Sequence, residues 1–217
     1  MWTYRGIKVH WLGHDSFVLE GTKTVILDPF KAKGDYKADV LLISHEHFDH
    51  LSDDDIERFS NQSTTIVAPR ICEDPLTKHR QEKKLVNPGT KTEVKGVGIE
   101  AIPAYNLNKF REPGKVFHPK ADGKVGFVVT LDGVRFYHAG DSDATPEMKG
   151  LNVDVAFLPV SGTYVMTAEE AAEAARAMKI KVAVPMHYGK IVGDRRDAEK
   201  FKRLLEGARE VEILEPE

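Results

Sequence analysis

Ser44-His45-Glu46-His47-Phe48-Asp49-His50 is the stretch on which the reading of this chain turns. Three histidines and an aspartate fall within six positions, a crowding that nine histidines in 217 residues rarely reach by chance. The segment follows Val40-Leu41-Leu42-Ile43, a short apolar run of the kind that fills a buried strand. It precedes Ser52-Asp53-Asp54-Asp55, which reads as a capping box opening a helix to about Ser60. The cluster therefore sits at the carboxyl end of a strand, where α/β sheets place their ligands. In extended backbone, residues two apart point the same way, so His45 and His47 can grip one ion. Asp49 and His50 lie where the chain turns into the helix and can face a second ion. Imidazole with carboxylate suits Zn, Mn, Fe or Ni, and two ions about 3.5–4 Å apart can share one hydroxide.

Outward from the cluster, apolar runs bounded by turn residues recur. Before it, 7–12, 16–19 and 24–27 read as strands; after it come 64–68, 98–102, 126–131, 134–137, 153–158, 182–185 and 211–214. Asp132-Gly133 between two of them is a hairpin signal. Helices are expected over 168–178, behind a capping box at Thr167-Ala168-Glu169-Glu170, over 194–205, and weakly over 71–78. The first β-rich half ends near 95 and the second begins near 98. Two such halves with outer helices suggest two sheets packed face to face, of α/β class, or α+β by some schemes.

Composition sets the outer limits. Hydrophobic residues make up 41% of the chain, which excludes a disordered polymer. The formal net charge of -3 argues against a general nucleic-acid binder. Cys72, the one cysteine, excludes an intrachain disulfide and a cysteine-based zinc site, and fits a reducing, cytoplasmic setting. No apolar stretch is long enough for a membrane span, and the first residues lack a signal-peptide core. A homo-oligomer stays open.

Two ions need more ligands than one segment holds. Asp141 follows the strand at 134–137 and is placed to bridge both ions; His187 ends the strand at 182–185. With His45-x-His47-x-Asp49-His50 and Leu27-Asp28-Pro29, these residues resemble the metallo-β-lactamase superfamily of metal-dependent hydrolases. Trp11-Leu12-Gly13-His14-Asp15, Pro103-Ala104-Tyr105-Asn106, Phe117-His118-Pro119 and Gly162-Thr163-Tyr164-Val165-Met166 look like its small hydrolases near the ascorbate-phosphate lactonase group. The resemblance covers most of the chain in order. It implies one domain over 1–217, folded as a four-layer αββα sandwich, and two divalent metal ions, with Zn favoured and Mn, Fe or Ni as alternatives.

The resemblance also implies a ligand set. One ion takes His45, His47 and a further histidine; the other takes Asp49, His50 and His187; Asp141 bridges. Relatives often supply the further histidine from Gly-His-Thr, but Pro103 to Leu107 holds none. His118, in the loop 108–124, is expected to fold back as that ligand; Asn106, or a site with two histidines, are the alternatives. Asp28 is expected behind the ligands, orienting a histidine through its other ring nitrogen. His14 either lines the site or stabilises a turn, and His10 and His79 are structural.

The implied chemistry is hydrolysis of a small-molecule substrate: a phosphodiester, phosphorylated lactone or other ester. A shared hydroxide attacks carbon or phosphorus. Asp49 orients or accepts its proton, and His138 or Tyr164 assists the leaving group, unless His138 is a buried, satisfied strand histidine. Lys109, Arg111, Lys115, Lys120 and Lys124 in the loop 108–124 would favour an anionic substrate, unless they form only a solvated loop. The competing readings are a non-catalytic metal-binding scaffold and a di-iron redox protein of the same fold.

Overall fold

The computed structural model describes residues 1–217. The first sheet runs in chain order through β1 (Trp2–Tyr4), β2 (Ile7–Trp11), β3 (Phe17–Glu20), β4 (Thr24–Leu27), β5 (Val40–Leu42), β6 (Thr65–Pro69) and β7 (Glu82–Val86). Pairing is antiparallel up to β4 and parallel beyond it. After β8 (Lys91–Val94) and β9 (Val97–Pro103), a hairpin of β10 (Phe110–Glu112) and β11 (Lys115–Val116) stands apart from both sheets. The second sheet then adds β12 (Val125–Leu131), β13 (Val134–His138), β14 (Val155–Pro159), β15 (Val182–Met186) and β16 (Glu210–Val211), in the spatial order β16-β15-β14-β13-β12-β9-β8.

Alternation along the first sheet builds the layers. Phe17, Leu19, Val25, Leu27 and Val40 join the main core toward the second sheet, where the Phe17 ring stacks on Phe157 at 4.2 Å. Their neighbours Val18, Ile26, Leu41 and Ile66 point the other way, into a second core with Ile56 and Phe59 of α1 (Asp53–Phe59). Each fully buried side chain of this size stabilises by roughly 1.5–3 kcal/mol. Beside α1 lies the short α2 (Glu73–Leu76). On the far side, α3 (Ala168–Ala177) buries Ala168, Ala171, Ala172 and Ala175, small side chains that let it lie close to the sheet. Next to it α4 (Arg195–Leu205) buries Ala198, Phe201 and Leu205. The result is the expected αββα sandwich. No helix is long and apolar enough to cross a membrane.

The departures are at edges. The strands β7 and β8 fall where no strand was expected, because Glu82-Lys83-Lys84 and Lys91-Thr92-Glu93 carry charges. Both are edge strands, where charge guards unpaired backbone and hides the apolar pattern. The division between halves lies between Val86 and Lys91, not near 95. Lys95 and Gly96, with φ of 53° and 83°, turn β8 back onto β9 within one hairpin. The helix expected over 71–78 is a 3₁₀ turn followed by α2, and the strand at 211–214 stops at Val211. Thr167 and Glu170 form a reciprocal capping box, whereas at α1 the cap is the Ser52 side chain accepting from the Asp55 amide.

Candidate metal centre

Loops between strands carry every expected ligand to one place. His45, His47, Asp49 and His50 follow β5; His118 lies between β11 and β12; Asp141 follows β13; and His187 follows β15. Four overlapping groups of side chains result, each with ligand atoms within 4.8 Å of one another; two of them hold all the expected ligands, His45, His47, His118 and Asp141 in one, His14, Asp49, His50 and His187 in the other.

Asp141 stands between them. Its Oδ2 lies 3.9 Å from His45 Nε2 and 3.5 Å from His118 Nε2. Its Oδ1 lies 3.3 Å from His50 Nε2 and 3.2 Å from His187 Nε2. One carboxylate thus offers one oxygen to each group. The loop that carries it packs tightly against the loop of His45. At Gly140, with φ of 60°, a Cβ would come within 3.1 Å of Ser44 Cβ and of the Val125 carbonyl oxygen.

Four imidazoles are aimed by what holds their other nitrogen. His45 Nδ1 donates to Ser44 Oγ (2.9 Å), His50 Nδ1 to Asp28 Oδ2 (2.9 Å), His118 Nδ1 to Asn106 Oδ1 (3.0 Å) and His187 Nδ1 to Ser161 Oγ (2.9 Å). Nε2 is left to face inward in each case, the arrangement that fixes a histidine on a metal. His45 Nε2, His50 Nε2, His187 Nε2 and Asp141 Oδ1 are buried without a hydrogen-bond partner. An orphaned buried polar atom costs about 1–3 kcal/mol, and four converging on one place are the signature of a cation site. The donor set, imidazole with carboxylate, fits a divalent ion.

The two groups differ in their protons. Burial lowers His118 to about 4, holds His45 well below the ordinary histidine range and also lowers His47, so these rings are neutral and ready to bind. Burial would also lower His187, but the Asp141 and Asp15 carboxylates outweigh it and raise it to about 9. His50 is raised in the same way by Asp141 and Asp28. Asp141, disfavoured as an anion by burial, is held ionised by His187 and His50.

The backbone is strained around the site. Of eight non-glycine residues with positive φ, four belong to it: His14 (55°), Asp28 (40°), Tyr164 (68°) and His187 (60°). Such conformations cost about 1–2 kcal/mol each and persist where the surroundings overdetermine them.

Comparison with known proteins agrees with this geometry. The family model of the beta-lactamase superfamily domain matches residues 8–187. The chain belongs to that family. A metal-dependent hydrolase of Thermococcus onnurineus is 34% identical over 97% of both chains. The crystal structure of a Parabacteroides distasonis protein assigned as a metal-dependent hydrolase superposes with a TM-score of 0.84 at 33% identity, covering 97% of this chain and 94% of that one. A metallo hydrolase of Ignicoccus hospitalis gives 0.79 at 25% identity, covering 97% and 95%. The protein is thus a metal-dependent hydrolase of the metallo-β-lactamase superfamily.

Within this β-lactamase superfamily domain, the tertiary structure sorts the remaining candidates. His118, not Asn106, reaches the centre. Asn106 sits behind it, its Oδ1 accepting from the His118 amide as well as the ring, while its Nδ2 donates to the Tyr164 carbonyl (2.8 Å). Asp28 lies behind His50, as expected. His14 is fully buried, and its Nε2 donates to Asp49 Oδ2 at 3.1 Å. Burial pushes the Asp49 carboxyl up, but the bond from His14 and the neighbouring His50 bring it down to about 2. Tyr164 stands at the mouth, 38% exposed, its ring edge-on to Phe117 at 4.7 Å.

His138 is not brought to the mouth. It is 1% exposed, its Nε2 donates to the Asp15 carbonyl (2.8 Å), and its Nδ1 accepts from the Gly140 amide (3.2 Å). Both nitrogens are spent on backbone, so it ties β13 to the loop before β3 and cannot assist a leaving group. The loop 108–124 also differs from the expectation of free positive charge. Lys109 pairs with Glu170 (2.7 Å), Lys115 with Glu112 (2.9 Å), Lys120 with Glu147 (2.7 Å) and buried Lys124 with Glu46 (2.6 Å). Among the five cations only Arg111 lacks an acidic partner.

Asp15, though part of the segment Trp11-Leu12-Gly13-His14-Asp15, had no expected role. It is wholly buried, 4.0 Å from His50 Nδ1, with both carboxylate oxygens unpartnered, and burial raises it to about 8. Ser44 and Ser161 were also missed: a serine that aims a histidine has no signature in sequence beyond its nearness to the ligand strand ends.

Proposed function

We propose that this metal-dependent hydrolase works with two ions and cleaves an ester bond, with zinc the favoured metal and Mn, Fe and Ni the others its donors suit. The observation that carries the reading is Asp141, which turns one oxygen toward His45 and His118 and the other toward His50 and His187. One ion would be held by His45, His47 and His118, the other by Asp49, His50 and His187. When bound, the ions lower the pKa of a water from about 15.7 toward about 7 and draw electron density from the ester oxygen.

The chain's own residues do the rest. Asp49, kept ionised by His14, is too weak a base to take the water's proton and orients it by accepting a hydrogen bond. Tyr164, pinned through its backbone carbonyl by Asn106 and exposed at the mouth, would donate its hydroxyl toward the leaving group.

Elemental analysis of protein purified without chelator or tag nickel tests the reading, together with hydrolysis of p-nitrophenyl acetate and bis(p-nitrophenyl) phosphate. About two ions per chain are expected, falling to about one or fewer in Asp141→Ala with loss of turnover. Full activity and two ions in that variant would refute the bridge. So would less than about a tenth of an ion per wild-type chain after incubation with each metal.

A further inference from the structure

The cavity over the metal centre, of about 350 Å³, has a polar floor and an apolar rim. Its floor is formed by His47, Asp49, His118 and Asp141, all from the proposed ligand set. Its rim is Phe48, Phe117, Tyr164 and Ile191. No lysine or arginine lines it. A larger cavity, of about 460 Å³, does contain Lys31, Lys33, Lys190 and Arg195, but none of the proposed metal ligands.

Three features of the rim point the same way. Phe48 is 69% exposed and Ile191 42%, large apolar surfaces held open at the entrance. Phe48 is fixed in that position by an edge-on contact with Phe30 at 5.6 Å, and Tyr164 by its contact with Phe117. Four of the five cations in the loop beside the mouth are paired with acids, three of them from elsewhere in the fold, and the innermost, Lys124, is buried with its Nζ on Glu46 and 3.2 Å from His47 Nε2, outside the cavity lining. Sites that take phosphate present arginine or lysine to its oxygens. This one presents carbon.

We infer that the substrate is a neutral carboxylic ester whose acyl group is apolar and lies against Phe48, Phe117, Tyr164 and Ile191, not a phosphodiester or phosphorylated lactone. The inference rests on the reading of the metal centre as an ester hydrolase. The reaction adds the oxygen of water to the acyl carbon, breaks the acyl C–O bond and returns the proton to the leaving alcohol, with no other reactant. A cavity of about 350 Å³ lies at the small end of ligand pockets, which fits an acyl chain of a few carbons.

Straight-chain hydroxamic acids from acetyl to octanoyl, titrated into the metal-loaded protein by calorimetry, test the pocket with a constant metal-binding head group. The p-nitrophenyl esters of the same acids, with bis(p-nitrophenyl) phosphate beside them, test the reaction. Affinity and kcat/KM are expected to rise about two- to fourfold per methylene over the first few carbons. Ile191→Ser and Phe48→Ser should each flatten that rise while the metal content stays at the wild-type value. Should Phe48→Ser lose metal because its neighbours are ligands, Ile191→Ser alone decides. A flat series, no hydroxamate binding, or faster turnover of the phosphodiester than of the hexanoyl ester would overturn the inference. So would a dimer in solution that Phe48→Ser splits, since the rim would then be a subunit contact. Hydroxamate affinity rising with length but no turnover of any ester would sink the ester-hydrolase reading and leave the apolar pocket standing; turnover with a flat series would do the reverse.

Discussion

Asp28→Asn keeps the shape of a 1% exposed side chain and removes its charge. The Asp28 carboxylate accepts from the Ser44 amide (2.7 Å), from Ser44 Oγ (2.5 Å) and from His50 Nδ1 (2.9 Å). An amide accepts at one end only, so asparagine must present its NH₂ either to the Ser44 amide or to the pair His50 and Ser44 Oγ. One charge-assisted hydrogen bond lost in a buried site costs about 1.5–3 kcal/mol, which is roughly 10–150-fold in an equilibrium constant. On the proposed two-ion reading, both ions should feel it. His50 is held by Asp28 directly, and His45 indirectly, because Ser44 Oγ accepts from His45 Nδ1 while donating to Asp28. Competition with a chelator of known affinity, read by elemental analysis, should show both affinities falling at least about tenfold. Ser161→Ala removes a partner of His187 alone among the proposed ligands and should weaken one ion alone. A folded Asp28→Asn protein, judged by circular dichroism, that keeps both affinities within about threefold would refute the orienting role.

Two further outcomes follow from the same network. His14→Asn removes the donor to Asp49 Oδ2, and should weaken the ion on the Asp49 side about tenfold with little change at the other, checked by the same chelator competition. In metal-free protein His187 is raised to about 9, so an ion binding there must displace its proton. Affinity at that position should therefore climb about tenfold per pH unit from pH 7 toward 9 and then level off; a pH-independent affinity would refute the protonated state. The same raised value stabilises the metal-free fold fully below about pH 6.5, and that contribution is lost as pH rises through about 9, so its Tm should fall across that window.

Legibility followed burial. The central strands were readable because both their faces are apolar, as in Val40-Leu41-Leu42 or Val155–Pro159. The strands β7 and β8 were not, because edge strands carry charge and lose the pattern. In the site, His45, His47, Asp49 and His50 announce themselves by spacing, and Asp141 and His187 by their place at strand ends. His118 was a choice between neighbours, since its approach depends on how Asn106 pins the loop from behind. The two readings of His138 could not be separated in sequence for a related reason. A histidine at a strand end looks the same whether its nitrogens face a cavity or backbone, and here they meet the Asp15 carbonyl and the Gly140 amide.

By itself the sequence determined the β-rich halves, the α/β class and the His45-x-His47-x-Asp49-His50 motif that carries the resemblance to the superfamily, because hydrophobic period and residue spacing are local properties of the chain. Only the tertiary structure decided which oxygen of Asp141 faces which histidines, that Ser44, Asn106 and Ser161 aim the rings, and that four of the five cations of loop 108–124 are spent on acids. Most of those facts join residues far apart in the chain, among them the 26 positions between Ser161 and His187, the 78 between Glu46 and Lys124 and the 96 between His45 and Asp141. Charge and direction across such separations exist only once the two sheets have closed, and they leave the mouth of this candidate centre lined by apolar side chains while the cations of loop 108–124 lie outside it, a choice the loop sequence left open.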